Sequence, residues 1–243
     1  GSSPFASRVV CFCCVMLSAQ TCSCWGGLMS LGKRNTRDVP EVFRARYACL
    51  PEHHALPHVL VVALQTLLPA GASPELDRAF VRDKTRFPRH WLHGTLPKYR
   101  LLEQAVYYFH MDAQHVVRAA LVCWGLTPQL EGPPGFCHGG CSASLLDDAF
   151  GAFANTHLRS CGGSGQAVTA FLHVDYKKPT PLTGKVVCIA ELDRVEGRKV
   201  FVKGRLLAPC ADGSLNATCE AHALFIELKD GYDGMQPKAD VSK

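Results

Sequence analysis

One feature constrains the fold of this chain more than any other: a single long helical pattern lies between segments that have strand patterns. From Gly139 to about Leu158, apolar residues recur at helical spacing. Two strand-like segments, Gln104–His110 and Val116–Trp124, precede this helix, and four more follow it. A helix and a sheet bury their apolar faces when one packs against the other. The pattern therefore predicts an antiparallel sheet wrapped around one central helix.

The strand-like segments after the helix complete this prediction. They are Gln166–Tyr176, Gly184–Arg194, Lys199–Ala208 and Ala217–Leu228. Strict alternation in the first segment puts successive side chains on opposite faces of the sheet. One face holds Val168, Ala170, Leu172 and Val174, and the other holds Thr169, Phe171, His173 and Asp175. An α+β chain with this order of elements is predicted to adopt the hotdog fold, and such a sheet is expected to dimerise.

Four segments are predicted along the chain. Residues 1–37 form a targeting or anchor segment, 38–103 an accessory helical region, 104–229 the hotdog domain and 230–243 a flexible tail. In the accessory region the apolar run Val59–Leu68 predicts a helix. Ser73 and Pro74 are typical of a helix start, so a second, short helix is predicted over Leu76–Val81. These helices form an N-terminal extension to the strand-rich domain.

The N-terminal segment is basic and its centre is uncharged. It contains Arg8, Lys33, Arg34 and Arg37 but no acidic residue, and residues 9–32 carry no charge. The lack of acidic residues is typical of a mitochondrial presequence. The apolar stretch Val9–Leu17 also suits the core of a secretory signal or, with the residues after it, a membrane anchor. These three alternatives remain open on the residues alone.

Charge and cysteine usage exclude some classes of protein. The net charge of +5 lies mainly in the N-terminal segment, and the rest of the chain is close to neutral. A nucleic-acid-binding domain usually carries a basic stripe on its folded part, so this class is excluded. The 13 cysteines are an odd number without paired spacing, which indicates reduced, buried thiols. We expect no metal and no cofactor, and we interpret His53, His54 and His58 as a surface cluster.

Several motifs, in order along the chain, carry a family resemblance. The segment LEGPPGFCHGG ends at Gly140, and Asp147 and Thr169 follow it. The motifs YKKP, beginning at Tyr176, and LDRVEGRK, beginning at Leu192, complete the set. With these motifs the chain resembles the thioesterase superfamily member 4 and member 5 group, which are mitochondrial acyl-CoA thioesterases of the hotdog class. The strong resemblance covers residues 127–228.

The residue types in these motifs suit thioester hydrolysis. A helix N-terminus has free amides and a partial positive charge. Glycines there let a thioester oxygen approach closely, so we expect the Gly140 N–H to be the oxyanion donor. His138 would orient the thioester or the loop. Asp147 lies farther along the same helix, and the resemblance makes it the catalytic carboxylate, acting on the same thioester as general base or nucleophile.

The resemblance also implies further site residues. Thr169 matches a hydroxyl that, in hotdog dimers, positions the attacking water from the opposite subunit. Basic residues at strand ends offer several donors to phosphate oxygens. The residues expected to bind CoA are Gly139, Asp175, Lys177, Lys178, Arg198 and Lys199. Asp148 is displaced from Asp147 by about 100° around the helix, and we interpret it as a surface or dimer-contact residue.

The resemblance implies a function, and three departures from the family pattern offer an alternative to it. The expected activity is hydrolysis of medium- to long-chain fatty acyl-CoA to free fatty acid and CoA, in a mitochondrial homodimer or dimer of dimers. Membrane association through residues 9–32 is an open alternative. The departures are the inserted loop Ser160–Gly165, Asp175 where the family has Asn, and Phe171. They favour a non-catalytic hotdog subunit that is structural, or binds acyl-CoA, within a larger mitochondrial assembly.

Overall fold

Eight strands form one antiparallel sheet in the computed structural model, which describes residues 47–49, 80–82, 90–103, 105–182 and 184–228. The strands are β1 (Tyr47–Cys49), β2 (Phe80–Arg82), β3 (Val106–Met111), β4 (Val117–Gly125), β5 (Ala167–Tyr176), β6 (Lys185–Glu196), β7 (Lys199–Pro209) and β8 (Leu215–Glu227). Their order across the sheet is β1-β2-β3-β4-β6-β7-β8-β5. The helices are α1 (Leu96–Lys98) and α2 (Gly139–Ser160), and α2 connects β4 to β5.

The helix α2 packs against one face of the sheet and forms the centre of the core. Its side chains Leu146, Phe150 and Phe153 are fully buried against Trp124 of β4 and Cys188 of β6. Burying a side chain of this size stabilises the fold by roughly 1.5–3 kcal/mol, so the helix and the sheet depend on each other. The predicted fold class is confirmed: β3–β8 wrap one central helix in the hotdog arrangement.

A β-bulge in β5 changes which face of the sheet Thr169 occupies. Thr169 pairs with Phe225 of β8, whereas the next paired residue is Phe171, opposite Leu224, so Ala170 is the extra residue. A bulge of this kind reverses the alternation of side chains on either side of it. Thr169 therefore faces α2, on the side where Phe225 is buried. The alternation predicted from the sequence, which put Thr169 on the same face as Phe171, is wrong for this reason.

The accessory region contributes strands as well as helical turns. The strands β1 and β2 extend the sheet beyond β3, and β2 includes Phe80 and Val81. The short helix predicted over Leu76–Val81 is therefore wrong at its C-terminal end. A π-helical turn, Trp91–Thr95, leads directly into α1. Residues 1–37, the helix predicted over Val59–Leu68, the histidines near position 55 and the tail 230–243 lie outside the described residues.

The described part of the chain contains no helix with the length and apolarity needed to cross a bilayer.

Two glycines give a matched test of the packing between α2 and the sheet. A Cβ at Gly204 of β7 would overlap the carbonyl oxygen of Ile189 and lie 2.6 Å from Cε1 of Phe150. A Cβ at Gly151 of α2 would make an ordinary contact of 3.5 Å with the ring of Phe225. We expect Gly204→Ala to destabilise the protein by about 3 kcal/mol. Gly151→Ala should stabilise it by about 0.5–1 kcal/mol, because alanine is the better helix former.

Urea unfolding of both variants and the wild type measures these free energies. Equal stability of the two variants would contradict the packing described for Gly204.

Candidate active site

A side chain of the loop before α2 caps the N-terminus of this helix. The His138 N–H donates to the Leu130 carbonyl oxygen at 2.8 Å, which folds the loop back on itself. The Gly140 N–H donates to His138 Nδ1 at 3.0 Å, so His138 is the N-cap of α2. The Gly140 amide, predicted to be the oxyanion donor, is therefore already occupied. Among the residues that the structure describes, the Gly139 N–H has no hydrogen-bond acceptor, and it replaces Gly140 as the candidate donor.

A groove of about 320 Å³ lies beside the Gly139 end of the helix. Its lining residues are Pro133, Phe136, Cys137, Gly139, Ser142, Tyr176, Lys177, Lys178, Pro179 and Thr180. The Tyr176 hydroxyl donates to the Gly139 carbonyl oxygen at 3.0 Å, which ties the end of β5 to the tip of the helix. The groove therefore combines a helix N-terminus with two of the lysines predicted to bind CoA.

Two buried thiols lie next to this groove. The Cys141 thiol donates a hydrogen bond that lowers the pKa of Cys137, whereas the same contact and burial raise the pKa of Cys141. Both residues are buried, at 6% and 7% exposure. The thiolate is the reactive form of cysteine, so the more acidic of the two thiols is Cys137, on the groove wall.

The predicted catalytic carboxylate contacts the predicted catalytic hydroxyl. Thr169 Oγ1 donates to Asp147 Oδ1 at 2.9 Å, and the two residues belong to the same chain. Burial raises the pKa of the Asp147 carboxyl above its ordinary value; the Thr169 hydrogen bond opposes this change, and the Asp148 charge adds to it. The structure thus brings Asp147 and Thr169 together. The expectation that Thr169 acts from the opposite subunit relative to Asp147 is wrong, because the bulge at Ala170 turns it toward its own helix.

The carboxylate and the helix tip of one chain are too far apart to act on one thioester. Asp147 lies eight residues after Gly139 along α2. With a rise of 1.5 Å per residue, that spacing corresponds to about 12 Å along the helix axis. A carbonyl oxygen in contact with the Gly139 amide would therefore lie well beyond reach of the Asp147 carboxylate of the same chain.

The residues predicted to bind CoA fall into separate places. Gly139, Lys177 and Lys178 line the groove at the helix tip. Lys177 Nζ also lies 3.3 Å from a carboxylate oxygen of Glu220. Asp175 lines a different groove, which the structure places on the charged outer face of the sheet.

Arg198 and Lys199 lie at the other end of the sheet. Lys199 pairs with Ile226, the residue that also pairs with Val168 next to Thr169. Arg198 Nη1 donates to the Glu227 carbonyl oxygen at 3.1 Å. One chain therefore does not bring all of the predicted CoA-binding residues together.

The sequence interpretation missed a buried polar cluster beside Asp147. Asp148 is 8% exposed, and its carboxylate lies 2.8 Å from His93 Nε2 and accepts from the Tyr107 hydroxyl at 2.8 Å. The interpretation of Asp148 as a surface or dimer-contact residue is therefore wrong. A signal was available: Asp148 continues the helical stripe of buried Cys141, Leu145 and Ala152.

Comparisons with known proteins identify relatives of this chain. Residues 134–209 match the thioesterase superfamily. The acyl-coenzyme A thioesterase THEM4 of Mus musculus is 31% identical over 182 residues, which cover 74% of this chain and 68% of that protein. THEM4 of Xenopus laevis is 46% identical over 101 residues, or 42% of this chain and 41% of that protein.

The chain thus spans less than half the length of the Xenopus relative. A solved structure of the BH2602 protein from Bacillus halodurans with CoA aligns at a TM-score of 0.38 and 26% identity, over 44% of this chain and 66% of that one.

Proposed function

Because this chain belongs to the acyl-coenzyme A thioesterase family of the thioesterase superfamily, we propose that it hydrolyses fatty acyl-CoA. The observation that supports this most directly is the contact between Asp147 and Thr169 at 2.9 Å. A partly buried carboxylate with a raised pKa is a good proton acceptor at neutral pH, and a neighbouring hydroxyl can hold a water in line with it. We infer medium- to long-chain acyl groups as substrates, which an assay across acyl lengths will test.

The proposed reaction uses few groups. Asp147 takes a proton from a water molecule that Thr169 orients, and the water oxygen forms a bond to the thioester carbon. A helix-tip amide stabilises the negative charge that develops on the carbonyl oxygen. When the carbon–sulfur bond breaks, the proton returns from Asp147 to the departing CoA thiolate. Attack by Asp147 itself, through an anhydride, uses the same geometry.

The oxyanion donor in this proposal is the Gly139 amide of a second copy of the chain. The strand β5 lies at the edge of the sheet, and its paired neighbour in the described part of the chain is β8. Most of its side chains are exposed, including Phe171 at 43%. An exposed edge strand is a ready surface for pairing with another strand.

Two-fold pairing of β5 edges would complete the site. Antiparallel pairing brings the Tyr176 end of one strand toward the Thr169 end of the other. The groove with Gly139, Lys177 and Lys178 of one copy would then lie near Asp147 and Thr169 of its partner. The same two-fold pairing would place Arg198 and Lys199 of one copy near Lys177 and Lys178 of the other. Several basic side chains close together suit a ligand with several phosphates. We therefore propose a homodimer, or a dimer of dimers, with two equal sites in each dimer.

The departures that favoured a non-catalytic subunit lie away from Asp147, Thr169 and the Gly139 amide, although Asp175 Oδ2 lies 3.8 Å from Lys177 Nζ. The Phe171 ring makes an edge contact with His222, at 5.8 Å between ring centroids, on the face opposite α2. Asp175 lines the outer groove. In the inserted loop, the Ser164 N–H donates to the Glu227 carboxylate at 2.7 Å, at the far end of α2 from Gly139. These positions support the catalytic proposal over the structural one.

A mitochondrial location is part of the proposal, and it rests on the acid-poor N-terminal segment. A fluorescent fusion to the C-terminus of the full chain should co-localise with a mitochondrial marker. Cytosolic or secretory fluorescence would contradict it.

Mixed dimers test the proposed function and the shared site together. One chain would carry Asp147→Asn and the other Gly139→Pro, each with a different affinity tag, so that tandem purification yields the mixed dimer. Each homodimer should keep about 1% or less of the wild-type activity toward palmitoyl-CoA. The mixed dimer retains one site with both groups intact, so it should recover about half of the wild-type activity. Wild type without activity would contradict the function, and an inactive mixed dimer would contradict the shared site.

The Gly139→Pro variant is also a prediction in its own right. Proline removes the amide hydrogen and is well tolerated at the first position of a helix. The preceding residue, His138, has φ −59° and ψ 134°, which is the conformation that proline requires before it. We expect kcat to fall by about 10²-fold with little change in Tm. Gly139→Ala keeps the amide and serves as the control; equal loss in both variants would contradict the oxyanion role.

A further inference from the structure

A buried cluster of histidine and carboxylate side chains lies on the side of α2 next to Asp147. Its three members are His90 and His93, at the π-helical turn, and Asp148 of α2. Each offers one ligand atom, and all three atoms lie within 4.8 Å of one another. Because two separate elements of the chain supply them, this cluster is not visible as a sequence motif.

The hydroxyl of Tyr107, on β3, is a fourth member of the cluster. It lies 3.0 Å from His93 Nε2 and donates to Asp148 Oδ2 at 2.8 Å. Tyr107 and His93 are 0% and 4% exposed. The four side chains thus converge from three elements, and the polar atoms of His93, Tyr107 and Asp148 contact one another.

The geometry points to a site for a divalent transition-metal ion, zinc in particular, held by His90, His93 and Asp148. In a tetrahedral zinc site with ligand bonds near 2.0 Å, neighbouring ligand atoms lie about 3.4 Å apart. The observed separations, from 2.8 Å to at most 4.8 Å, bracket that distance, so small side-chain rotations suffice. The Tyr107 oxygen or a water would take the fourth position.

The chemistry of the donors sets the class of ion. Two imidazoles and one carboxylate suit zinc and related divalent ions, whereas magnesium and calcium prefer all-oxygen sites. One negative charge among the three ligands offsets part of the charge of the cation. His90 is less buried than His93 and Asp148.

A bound ion would cross-link the π-helical turn to α2, because it would have ligands on both. Together these side chains link Trp91–Thr95, β3 and the stretch of α2 that holds Asp147. The site would then stabilise the position of the accessory segment against the hotdog domain. This role does not depend on thioester hydrolysis.

Metal analysis of the full chain tests the proposal. The protein is purified, loaded with zinc, freed of excess ion and measured by mass spectrometry of the metal. His90→Ala leaves the His93–Asp148 and Tyr107–Asp148 contacts in place, so the variant should fold. We expect it to hold about one zinc ion per chain less than the wild type. His115→Ala, which removes an exposed histidine outside the cluster, should match the wild type.

The chain has 13 cysteines that can also bind zinc. The measurement that tests the site is therefore the difference in zinc content between His90→Ala and the wild type. Cobalt absorption gives a second measurement. The wild-type spectrum minus the His90→Ala spectrum should show no thiolate charge-transfer band, because the proposed ligands are imidazoles and a carboxylate. Zinc should also raise the Tm of the wild type more than that of His90→Ala. Equal zinc content and equal Tm shifts in His90→Ala and wild type would overturn the site.

Discussion

Replacement of Asp147 by asparagine is expected to lower kcat/KM for palmitoyl-CoA by about 10³-fold, because the amide cannot accept a proton from water or attack the thioester. Asparagine has nearly the same shape and can still accept the hydrogen bond from Thr169 Oγ1. The variant therefore removes the chemistry of the carboxylate and leaves the contact. Steady-state hydrolysis with a thiol-detecting reagent for released CoA measures the change.

The same substitution should not reduce stability at neutral pH. Burial raises the pKa of Asp147 in the folded state above its value in the unfolded chain. The ionised carboxylate therefore costs stability at neutral pH, and this cost disappears as the pH falls through the raised pKa. Asparagine carries no charge, so the Tm of Asp147→Asn should equal or exceed that of the wild type at pH 7.

An exposed carboxylate provides the control. Asp212 lies in the turn between β7 and β8, where its side chain accepts from Ser214 N–H. Asp212→Asn should keep wild-type activity. Full turnover by Asp147→Asn would show that this carboxylate is not catalytic, and a collapse of its Tm would show that the loss of activity has a structural cause.

The second large effect is expected at His93, in the absence of metal. His93→Leu leaves the Asp148 carboxylate buried without its imidazole partner. Removing a hydrogen-bond partner of a buried charged group typically costs about 3 kcal/mol or more. Tyr107→Phe removes the hydroxyl that donates to Asp148 and lies 3.0 Å from His93 Nε2, and it should cost about 1–3 kcal/mol. Urea unfolding in the presence of EDTA measures both values.

A double-mutant cycle separates the interaction energy of His93 and Asp148 from the effects of each substitution on its surroundings. When both members of a buried pair become apolar, most of the lost stability often returns. We therefore expect His93→Leu/Asp148→Leu to be more stable than His93→Leu alone, which gives a large coupling energy. Additive losses would contradict a direct interaction between His93 and Asp148.

The sequence predicted the fold well because periodicity reports on burial. The apolar residues of α2, such as Phe150 and Phe153, repeat at the helical spacing, and the fully buried face of the helix follows that repeat. The motif around Gly139 and Asp147 predicted where chemistry could occur. Its detailed geometry was beyond the sequence, because the Gly140 amide donates to His138 Nδ1 only through the way the loop folds, and this leaves Gly139 as the candidate donor.

Long-range contacts account for the other errors. His93 and Asp148 are 55 residues apart along the chain, so no local pattern connects them. The strand β2 was predicted as a helix because Ser73-Pro74 is a genuine helix-start signal, whereas pairing with β3 is a tertiary interaction that overrides it. Burial of Asp148 could have been suspected from its place in the helical stripe, but its partners could not.

The bulge at Ala170 makes the register of β5 against β8 a requirement for the contact between Thr169 and Asp147. If β5 kept all its residues but paired regularly with β8, Ala170 would lie opposite Phe225 and Thr169 opposite Ile226, so the Thr169 hydroxyl would turn outward, away from Asp147. Every reacting group would still be in the polypeptide, yet the pair would be broken. A one-residue shift in the register of this strand should therefore abolish the proposed turnover as surely as losing the hydroxyl, even where each residue type is preserved.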